Sequence, residues 1–411
     1  MSVGKKIASA ILDKIRAQRE TPDVSQSVGG FSAAPRAKLR EVTFSDFDGV
    51  MELRQRVGWA PDSRDNWKRV WQQNPALRLM KSDPPMGWVL EAEGQIVGYL
   101  GNVSLIYQYS GRTLTAATGS GFAVLPAYRS LSVSLVAAFY RQKNIDLYLT
   151  TTAVEAVGKI ARAFKSAPLP QAEYDSMLFW VLQPAPFAHV LMKKLGLKPS
   201  LSRIGGALAS LAVRADSFWH RRWPSRKSAR LVVEDIGVNE IGDDFQSLWA
   251  QKVMESPRLL ADRSPETLRW HFTVPGDTGS VRVLCCYDQG ELLGYAVVRH
   301  GAPTSSNGLR RSMIADMLAK KDNPAVLTSL WYAAYEQSKQ AGSHVFEVLG
   351  FPTNIREVSS RWQPYLRKYP ALPFYYKAAD PTLHNKLSDG MVWYASPFDG
   401  DTSLWSFGSA S

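Results

Sequence analysis

The stretch of sequence best suited to chemistry is VLPAYRSLSVS, at residues 124 to 134. An apolar run ends at Pro126 and a helical pattern follows, so a strand is predicted to pass into a helix here. The first turn of a helix presents unpaired backbone N–H groups and the positive end of the helix dipole, and both attract phosphate. Arg129 and the small serines therefore suit a phosphate-binding turn. The alternative is that Ser130 only caps the helix and Arg129 is a surface residue.

Repeated segments surround this junction and position it. Residues 88–101 and 283–297 share one pattern, an apolar run, a glycine turn and a second apolar run, and each predicts a β-hairpin. A strand and an amphipathic helix precede each hairpin, and a strand, a helix and another strand follow it. In the first half these following elements are 115–125, 130–142 and 146–154. The chain is therefore predicted to contain two copies of one αβ unit.

This order of elements resembles the fold of GNAT acyltransferases, from about residue 39 to residue 398. The doubling resembles the tandem arrangement of FemA/FemX-like transferases and of GNAT-like proteins from bacterial envelope and exopolysaccharide gene clusters. The resemblance implies an α/β (α+β) fold of two tandem GNAT-like units, each a mixed, mostly antiparallel sheet flanked by helices. The predicted organisation is a flexible, basic N-terminal extension (1–38), an acyl-CoA-binding GNAT-like domain (39–198), a basic linker (199–229) and a degenerate, acceptor-side GNAT-like domain (230–411).

The resemblance assigns the junction to the pyrophosphate of an acyl-CoA. GNAT enzymes carry Arg/Gln-x-x-Gly-x-Gly/Ala at this position, and this chain has Ser132 and Ser134 where the pattern has glycines. Serine keeps its N–H group, but its Cβ narrows the close approach that glycine permits. Thr151 and Thr152, at the end of the fifth strand, either line the pantetheine tunnel or are ordinary β-branched strand residues. The predicted contacts of acetyl-CoA or another acyl-CoA, with no metal, are Val124, Arg129, Ser130, Leu131, Ser132, Val133, Ser134, Thr151 and Thr152.

Acyl transfer from a thioester needs a base for the nucleophile, a stabilised oxyanion and a proton for the departing thiolate. The resemblance implies a tyrosine that supplies this proton from the helix after the fifth strand, but the comparable residue is Phe164. Tyr174, a few residues further on, is the predicted substitute acid, and its alternative role is to anchor a strand edge. Glu155 is the predicted base, with a structural role as its alternative. The histidines fall in no catalytic or metal-binding motif.

The second copy lacks a comparable phosphate-binding turn. Its helix entry, AKKDNPAVLTSL, has Asp322 or Asn323 as a cap and Pro324 in the first turn. We therefore expect this unit to bind no CoA and to shape the acceptor cleft. Residues 391–405 predict a final strand running into a turn, and their DGD is too short to indicate a calcium loop. An anionic or sugar-containing acceptor, or packing alone, accounts for Arg269, Trp270, Arg356, Arg361 and Trp362.

The net charge of +12 is concentrated in one segment. Residues 193–230 hold ten Lys or Arg and one acid, Asp216, which gives this segment a net charge of +9. It is either a solvated linker or a surface that faces a polyanion such as an anionic membrane. Near the N-terminus an apolar stripe predicts an interfacial helix or one docked on its own protein, and residues 20–38 predict a tether. The stripe consists of Ile7, Ile11, Leu12 and Ile15.

Composition excludes several classes of protein. The apolar runs are far shorter than the roughly 20 residues of a membrane span, and the N-terminus lacks a secretion signal. The two cysteines, Cys285 and Cys286, are adjacent in a predicted strand and point to opposite faces, which excludes a disulfide between them. We therefore expect a cytoplasmic protein, at the inner face of the membrane if the basic segment binds lipid. No motif indicates sequence-specific nucleic-acid recognition.

Two functions remain open. The first is a GNAT-type N- or O-acyltransferase that moves an acyl group, with acetyl favoured, from acyl-CoA to an amine or hydroxyl of an envelope or polysaccharide precursor or a small molecule. Aminoacyl-tRNA, which some Fem relatives use, is the weaker choice of donor. The second is a catalytically inactive tandem module that binds a polyanion or a partner protein.

Overall fold

The structure is a computed structural model, and it describes residues 36–152, 155–194, 199–225, 230–276, 280–302, 308–368 and 374–405. The apolar stripe at residues 7–15 and nearly all of the predicted tether lie outside the described residues.

The described residues form two successive sets of strands and helices. The first set comprises β1 (Lys38–Glu41), α1 (Phe47–Arg56), α2 (Arg64–Gln72), β2 (Gly87–Ala92), β3 (Gln95–Tyr109), β4 (Arg112–Val124), α3 (Ser132–Tyr140), β5 (Leu147–Thr150), α4 (Glu155–Ala163), β6 (Ala167–Pro168), β7 (Ser176–Val181), α5 (Pro184–Lys194) and α6 (Pro199–Trp219). The second comprises β8 (Val232–Ile236), α7 (Asp243–Val253), β9 (Leu260–Ala261), α8 (Pro265–Phe272), β10 (Val281–Asp288), β11 (Glu291–His300), β12 (Arg311–Ala319), α9 (Pro324–Gln340), β13 (Val345–Val348), α10 (Thr353–Ser360), β14 (Tyr365–Lys368), β15 (Tyr375–Ala378) and α11 (Pro381–Lys386).

Both predicted hairpins are confirmed, as β2–β3 and β10–β11. Their turns have the same local conformation, since Glu93 and Gly94 both have positive φ and so do Gln289 and Gly290. Two successive residues with positive φ are the mark of a two-residue type I′ turn, whose twist matches that of the flanking strands. The sequence predicts these hairpins correctly because the conformation of each turn depends on only two neighbouring residues.

The strands form two mixed sheets flanked by helices, which confirms the predicted fold class. One sheet has the order β1-β2-β3-β4-β5-β15-β6, with β9 beside β3, and the other has the order β14-β7-β13-β12-β11-β10-β8. Among the described strands, each sheet contains one parallel pair, β4 with β5 and β12 with β13.

The two halves exchange a strand. β7, from the first half, pairs with β13, and β15, from the second half, pairs with β5. The buried apolar side chains of both halves accordingly belong to one contiguous core, which contains Trp67, Trp180, Trp331 and Trp393. Burial of this shared core couples the stability of the two halves.

Two segments differ from a simple reading of the sequence. The predicted final strand is wrong, because residues 394–405 form no strand and Trp393 makes only an isolated bridge with Leu259. The basic segment contains α6, a helix of 21 residues. Among the helices of the described ranges, none is both long enough and apolar enough to cross a bilayer.

Candidate functional site

β4 and β5 part after three paired residues in the first sheet, and we call the region between their ends the cleft. β4 pairs with β3 along nearly its whole length, but it pairs with β5 only at residues 116–118, opposite residues 147–149. A register shift between Tyr99 and Gly101 gives β4 an extra residue, and such bulges bend a strand and increase its twist. Residues 119–124 therefore continue without pairing to β5 and lead toward the start of α3.

Hydroxyl groups line this cleft. Thr118 and Ser120 are two residues apart on β4 and so lie on the same face of the sheet. The Thr118 hydroxyl is buried and has no hydrogen-bond partner in the described structure. Thr151 and Thr152 follow the end of β5 on the other side of the cleft, and Thr151 is buried. The cleft thus offers neutral donors and acceptors.

Residues 394–405, which we call the C-terminal tail, enter this cleft. Gly400 has a φ of +66° and lies so close to Thr151 that a Cβ would clash with its side chain. Asp401 follows, and its Oδ1 accepts hydrogen bonds from the hydroxyls of Thr151 (2.8 Å) and Thr152 (3.4 Å). The Trp405 indole N–H donates to Ser120 Oγ at 3.1 Å. The tail therefore joins the ends of the diverging strands.

Asp401 is a buried carboxylate whose hydrogen-bond donors are all neutral within the described contacts. Its side chain is only 3% exposed. Burial raises its pKa above the ordinary aspartate value, and hydrogen bonds from Ser120, Thr151, Trp405 and Thr152 offset part of that rise. A carboxylate with a raised pKa is better matched to proton transfer near neutral pH than an ordinary one.

Arginines from both halves hold the tail in place. Arg69 Nη2 donates to the Leu404 carbonyl at 2.7 Å. Arg299 donates to the carbonyls of Ser403 (2.6 Å) and Trp405 (2.7 Å). His271 Nε2 lies 2.9 Å from Ser403 Oγ, and burial holds its pKa well below the ordinary histidine value. His271 is therefore neutral and serves as a hydrogen-bonding group of the anchor.

A second carboxylate of the tail, Asp399, lies between the halves. It accepts hydrogen bonds from Tyr107 Oη and from the Ser396 N–H, both at 2.8 Å. Burial raises its pKa to about 6, although Arg263, 3.9 Å away, acts to lower it. Arg263 makes its closer ion pair with Asp316 at 2.9 Å.

The predicted phosphate-binding junction is helical rather than an irregular loop. Residues Pro126–Leu131 form a 3₁₀ helix that leads directly into α3. The N–H of Ser132 donates to the Arg129 carbonyl, and the Ser134 hydroxyl donates to the Leu131 carbonyl at 2.7 Å. No side chain of the described residues caps the start of α3, so the alternative role of Ser130 as a cap is wrong. Arg129 and Ser130 are exposed beside this turn.

The two predicted catalytic residues lie in different environments. Glu155 begins α4 with its side chain 83% exposed, 3.0 Å from Lys159, which lowers its pKa. Tyr174 is buried, and its hydroxyl donates to the Ser396 carbonyl of the tail at 3.4 Å. Burial raises the pKa of Tyr174. Only Tyr174 touches the tail that carries Asp401, and the roles of both residues stay predictions.

The residues predicted to face an acceptor are mostly engaged in packing. Trp270 is buried against Arg69 and donates to its carbonyl, and Arg356 donates to the Gly350 carbonyl. Trp362 is buried beside Arg361. Within the described ranges, no group of three or more His, Cys, Asp or Glu side chains could hold a metal ion.

Comparison with solved structures identifies the architecture. A GCN5-related N-acetyltransferase from Anabaena variabilis matches with a TM-score of 0.52 and 12% identity, over 84% of this chain and 73% of that one. A probable N-acyltransferase from Enterococcus faecalis matches with a TM-score of 0.54 and 9% identity, over 84% and 72%. Saccharomyces cerevisiae N-myristoyltransferase with bound myristoyl-CoA matches with a TM-score of 0.51 and 13% identity, over 87% and 81%.

The chain has a GNAT-like fold. No protein-family model and no curated protein sequence matches it. The narrower resemblance to FemA-like transferases and the gene-cluster context stay predictions. Within this GNAT-like fold, sequence reasoning missed Asp401 and Asp399. The available signal was the DGD stretch set between large apolar residues, because two acids in such surroundings either reach solvent or are buried with partners.

Proposed function

We propose that the chain transfers an acyl group from an acyl-CoA to an amine or hydroxyl group of an acceptor. The observation that carries this proposal is the cleft between β4 and β5, with the Asp401 carboxylate at its hydroxyl-lined end. The GNAT-like fold supports the same reaction class, since the solved structures it resembles are named as N-acyltransferases and one holds myristoyl-CoA.

The proposed chemistry uses groups of the first half and the tail. Asp401 accepts the proton that the attacking amine or hydroxyl loses as it bonds to the acyl carbon. The acyl carbon–sulfur bond breaks, and the thiolate takes up a proton from Tyr174 or from water. Acetyl-CoA is the first donor to test, and the proposed acceptor is an envelope or polysaccharide precursor or a small molecule. Both cysteines are free and buried, which suits the cytoplasm.

The acyl-CoA diphosphate would lie at the start of α3. This end of the helix has no capping side chain, and Arg129 is exposed next to it. Because the Ser132 N–H is already bonded to the Arg129 carbonyl, binding requires the 3₁₀ turn to loosen or the diphosphate to use the donors that remain. That bonded turn is also the observation that favours the second candidate function, an inactive module that binds a polyanion or a partner protein.

Calorimetric titration with acetyl-CoA and longer acyl-CoAs separates the two functions. We expect saturable binding that Ser132→Glu weakens by about ten-fold or more, because the new carboxylate repels the diphosphate. Ser82→Glu, which places the same charge on an exposed loop, is the matched control and leaves the affinity unchanged. Absence of binding by every acyl-CoA, or equal loss in both variants, would contradict the proposal.

A further inference from the structure

The outward face of α6 is apolar. At about 100° per residue, six of its side chains fall within an arc of about 120°. They are Leu208, Leu211, Ala212, Ala215, Phe218 and Trp219. Leu208, Leu211, Phe218 and Trp219 are 63, 62, 71 and 81% exposed, whereas the polar Ser210 is buried on the inner side. This inverts the usual arrangement of a surface helix, and contiguous exposed apolar patches mark interaction sites.

The turn after α6 extends this patch. Trp223 is 39% exposed, and it lines a surface cavity of about 800 Å³ together with Phe218, Trp219 and Arg221. Phe218 and Trp223 lie 6.4 Å apart between ring centroids. We call Leu208, Leu211, Phe218, Trp219 and Trp223 the α6 surface.

Two exposed arginines flank the α6 surface. Arg214 and Arg221 are exposed on either side of Phe218 in the sequence. Asp216 is the one acid between residues 193 and 230, and it is engaged by Arg222 at 2.7 Å and by the Tyr365 hydroxyl at 2.5 Å. Within the described part of this segment, the single carboxylate is therefore ion-paired, while Arg214 and Arg221 are exposed.

The positive charge beside the α6 surface distinguishes between three possible binding partners. The N-terminal segment 1–20 carries five Lys or Arg against two acids, so it has the same sign as the α6 surface. A second copy of the chain would bring an identical basic segment. An anionic lipid surface has the opposite charge and an apolar interior, and interfacial helices that bind it combine Trp, Phe and Leu with flanking Arg or Lys.

We propose that the α6 surface binds an anionic lipid bilayer, with Phe218 and Trp219 inserted among the lipids and Arg214 and Arg221 at the headgroup phosphates. α6 then lies along the membrane. This proposal does not depend on acyl transfer.

Vesicle co-sedimentation of the full chain tests it. We expect binding to phosphatidylcholine vesicles that contain phosphatidylglycerol, little binding to phosphatidylcholine alone, and weaker binding as salt rises. Phe218→Ser with Trp219→Ser lowers the affinity about ten-fold or more, since the anchoring apolar area is lost. Arg214→Glu with Arg221→Glu lowers it by about five-fold or more per residue.

Matched variants elsewhere control for general effects. Met254 and Met391 are 81 and 71% exposed, so Met254→Ser with Met391→Ser removes comparable apolar exposure and leaves binding unchanged. Arg112→Glu with Arg141→Glu does the same for exposed charge. An equal loss of vesicle affinity in the control variants overturns the proposal. Affinity that is unchanged by Phe218→Ser with Trp219→Ser, or that is the same with and without phosphatidylglycerol, also overturns it. The α6 surface would instead be assigned to a second copy if the chain does not bind vesicles and forms a concentration-dependent dimer that Phe218→Ser with Trp219→Ser abolishes.

Discussion

β4 and β12 leave their parallel neighbours at the same point of each half, after three paired residues. The diverging part of β12 carries Asp316, which is buried and makes two hydrogen bonds with Arg263. Beside the diverging part of β4 lies Asp401, which has only neutral donors among the described contacts. Asp316 is therefore part of a buried ion pair, whereas Asp401 has no cationic partner among its described contacts.

The helix that follows each cleft differs in a related way. α9 is capped by Asn323, whose side chain accepts from the N–H groups of Ala325 and Val326. The carboxylate of Asp322, next to it, is bound by Lys252 (2.6 Å) and Arg258 (2.7 Å). At the start of α9, the chain's own side chains thus accept the hydrogen bonds that an external anion would otherwise accept. The start of α3 has no such cap among the described side chains. This difference is the reason why we propose acyl-CoA binding by the first half only.

Asp316→Asn should show the largest effect, on stability. The change leaves Arg263 buried with Asp399 at 3.9 Å as the remaining carboxylate, and breaking a buried ion pair costs about 3 to 5 kcal/mol. We expect the free energy of unfolding to fall by this amount in urea titrations at neutral pH. Arg64→Gln, which removes an exposed ion pair with Asp48, is the control and changes it by less than about 1 kcal/mol. If Asp316→Asn lowered the free energy of unfolding by a similarly small amount, Asp316 would not have the structural role that distinguishes it from Asp401.

Asp399 should make stability fall as pH rises. Its pKa is about 6 in the fold against an ordinary 3.8, so the native state binds more protons than the unfolded state between these values. Its contribution is complete below pH 3.8 and is lost as pH passes through about 6, a total of about 3 kcal/mol. The measurement is the unfolding free energy of the wild type minus that of Asp399→Asn, from pH 4 to 7 as a working range. A flat difference would show that Asp399 keeps its ordinary pKa.

The sequence predicts those parts of the fold that depend on local patterns. Both hairpins, the strand–helix order around 112–140 and the helix at 324–340 follow from apolar periodicity and turn residues. The exchange of β7 and β15 does not, because both are short strands with little alternation of exposed and buried residues, and such strands specify their pairing weakly.

The sequence predicts only those parts of the candidate site whose residues are close together in the chain. The junction at 124–134 and the threonines after β5 stand out because their spacing is local. Asp401 acquires its environment from Thr151, 250 positions away, and from a tail anchored by Arg69 and Arg299. Polar residues near a C-terminus ordinarily predict an exposed turn, and only the packed fold shows that these are buried.

Asp401→Asn should reduce kcat by about 100-fold, if the proposed acyl transfer takes place, because the amide cannot accept the proton. The wild-type rate should rise with pH through the raised pKa of Asp401, since the ionised form is the base, and the variant should lack this limb. The assay is CoA release with an acceptor on which the wild type is active. Acyl-CoA affinity and melting temperature serve as controls. An unchanged kcat with a lower melting temperature would make Asp401 only an anchor of the tail.

The smallest effects concern the two helix starts. Asn323→Ala should lower the free energy of unfolding by about 1 kcal/mol, because α9 loses the acceptor for two N–H groups. Ser130→Ala should cost less than about 0.5 kcal/mol, because Ser130 caps nothing at the start of α3. Urea unfolding measures both, with Ser132→Ala beside them. Equal costs at Asn323 and Ser130 would mean that both helices are capped by the chain itself, and the N–H groups at α3 would then be no more available to a diphosphate than those at α9.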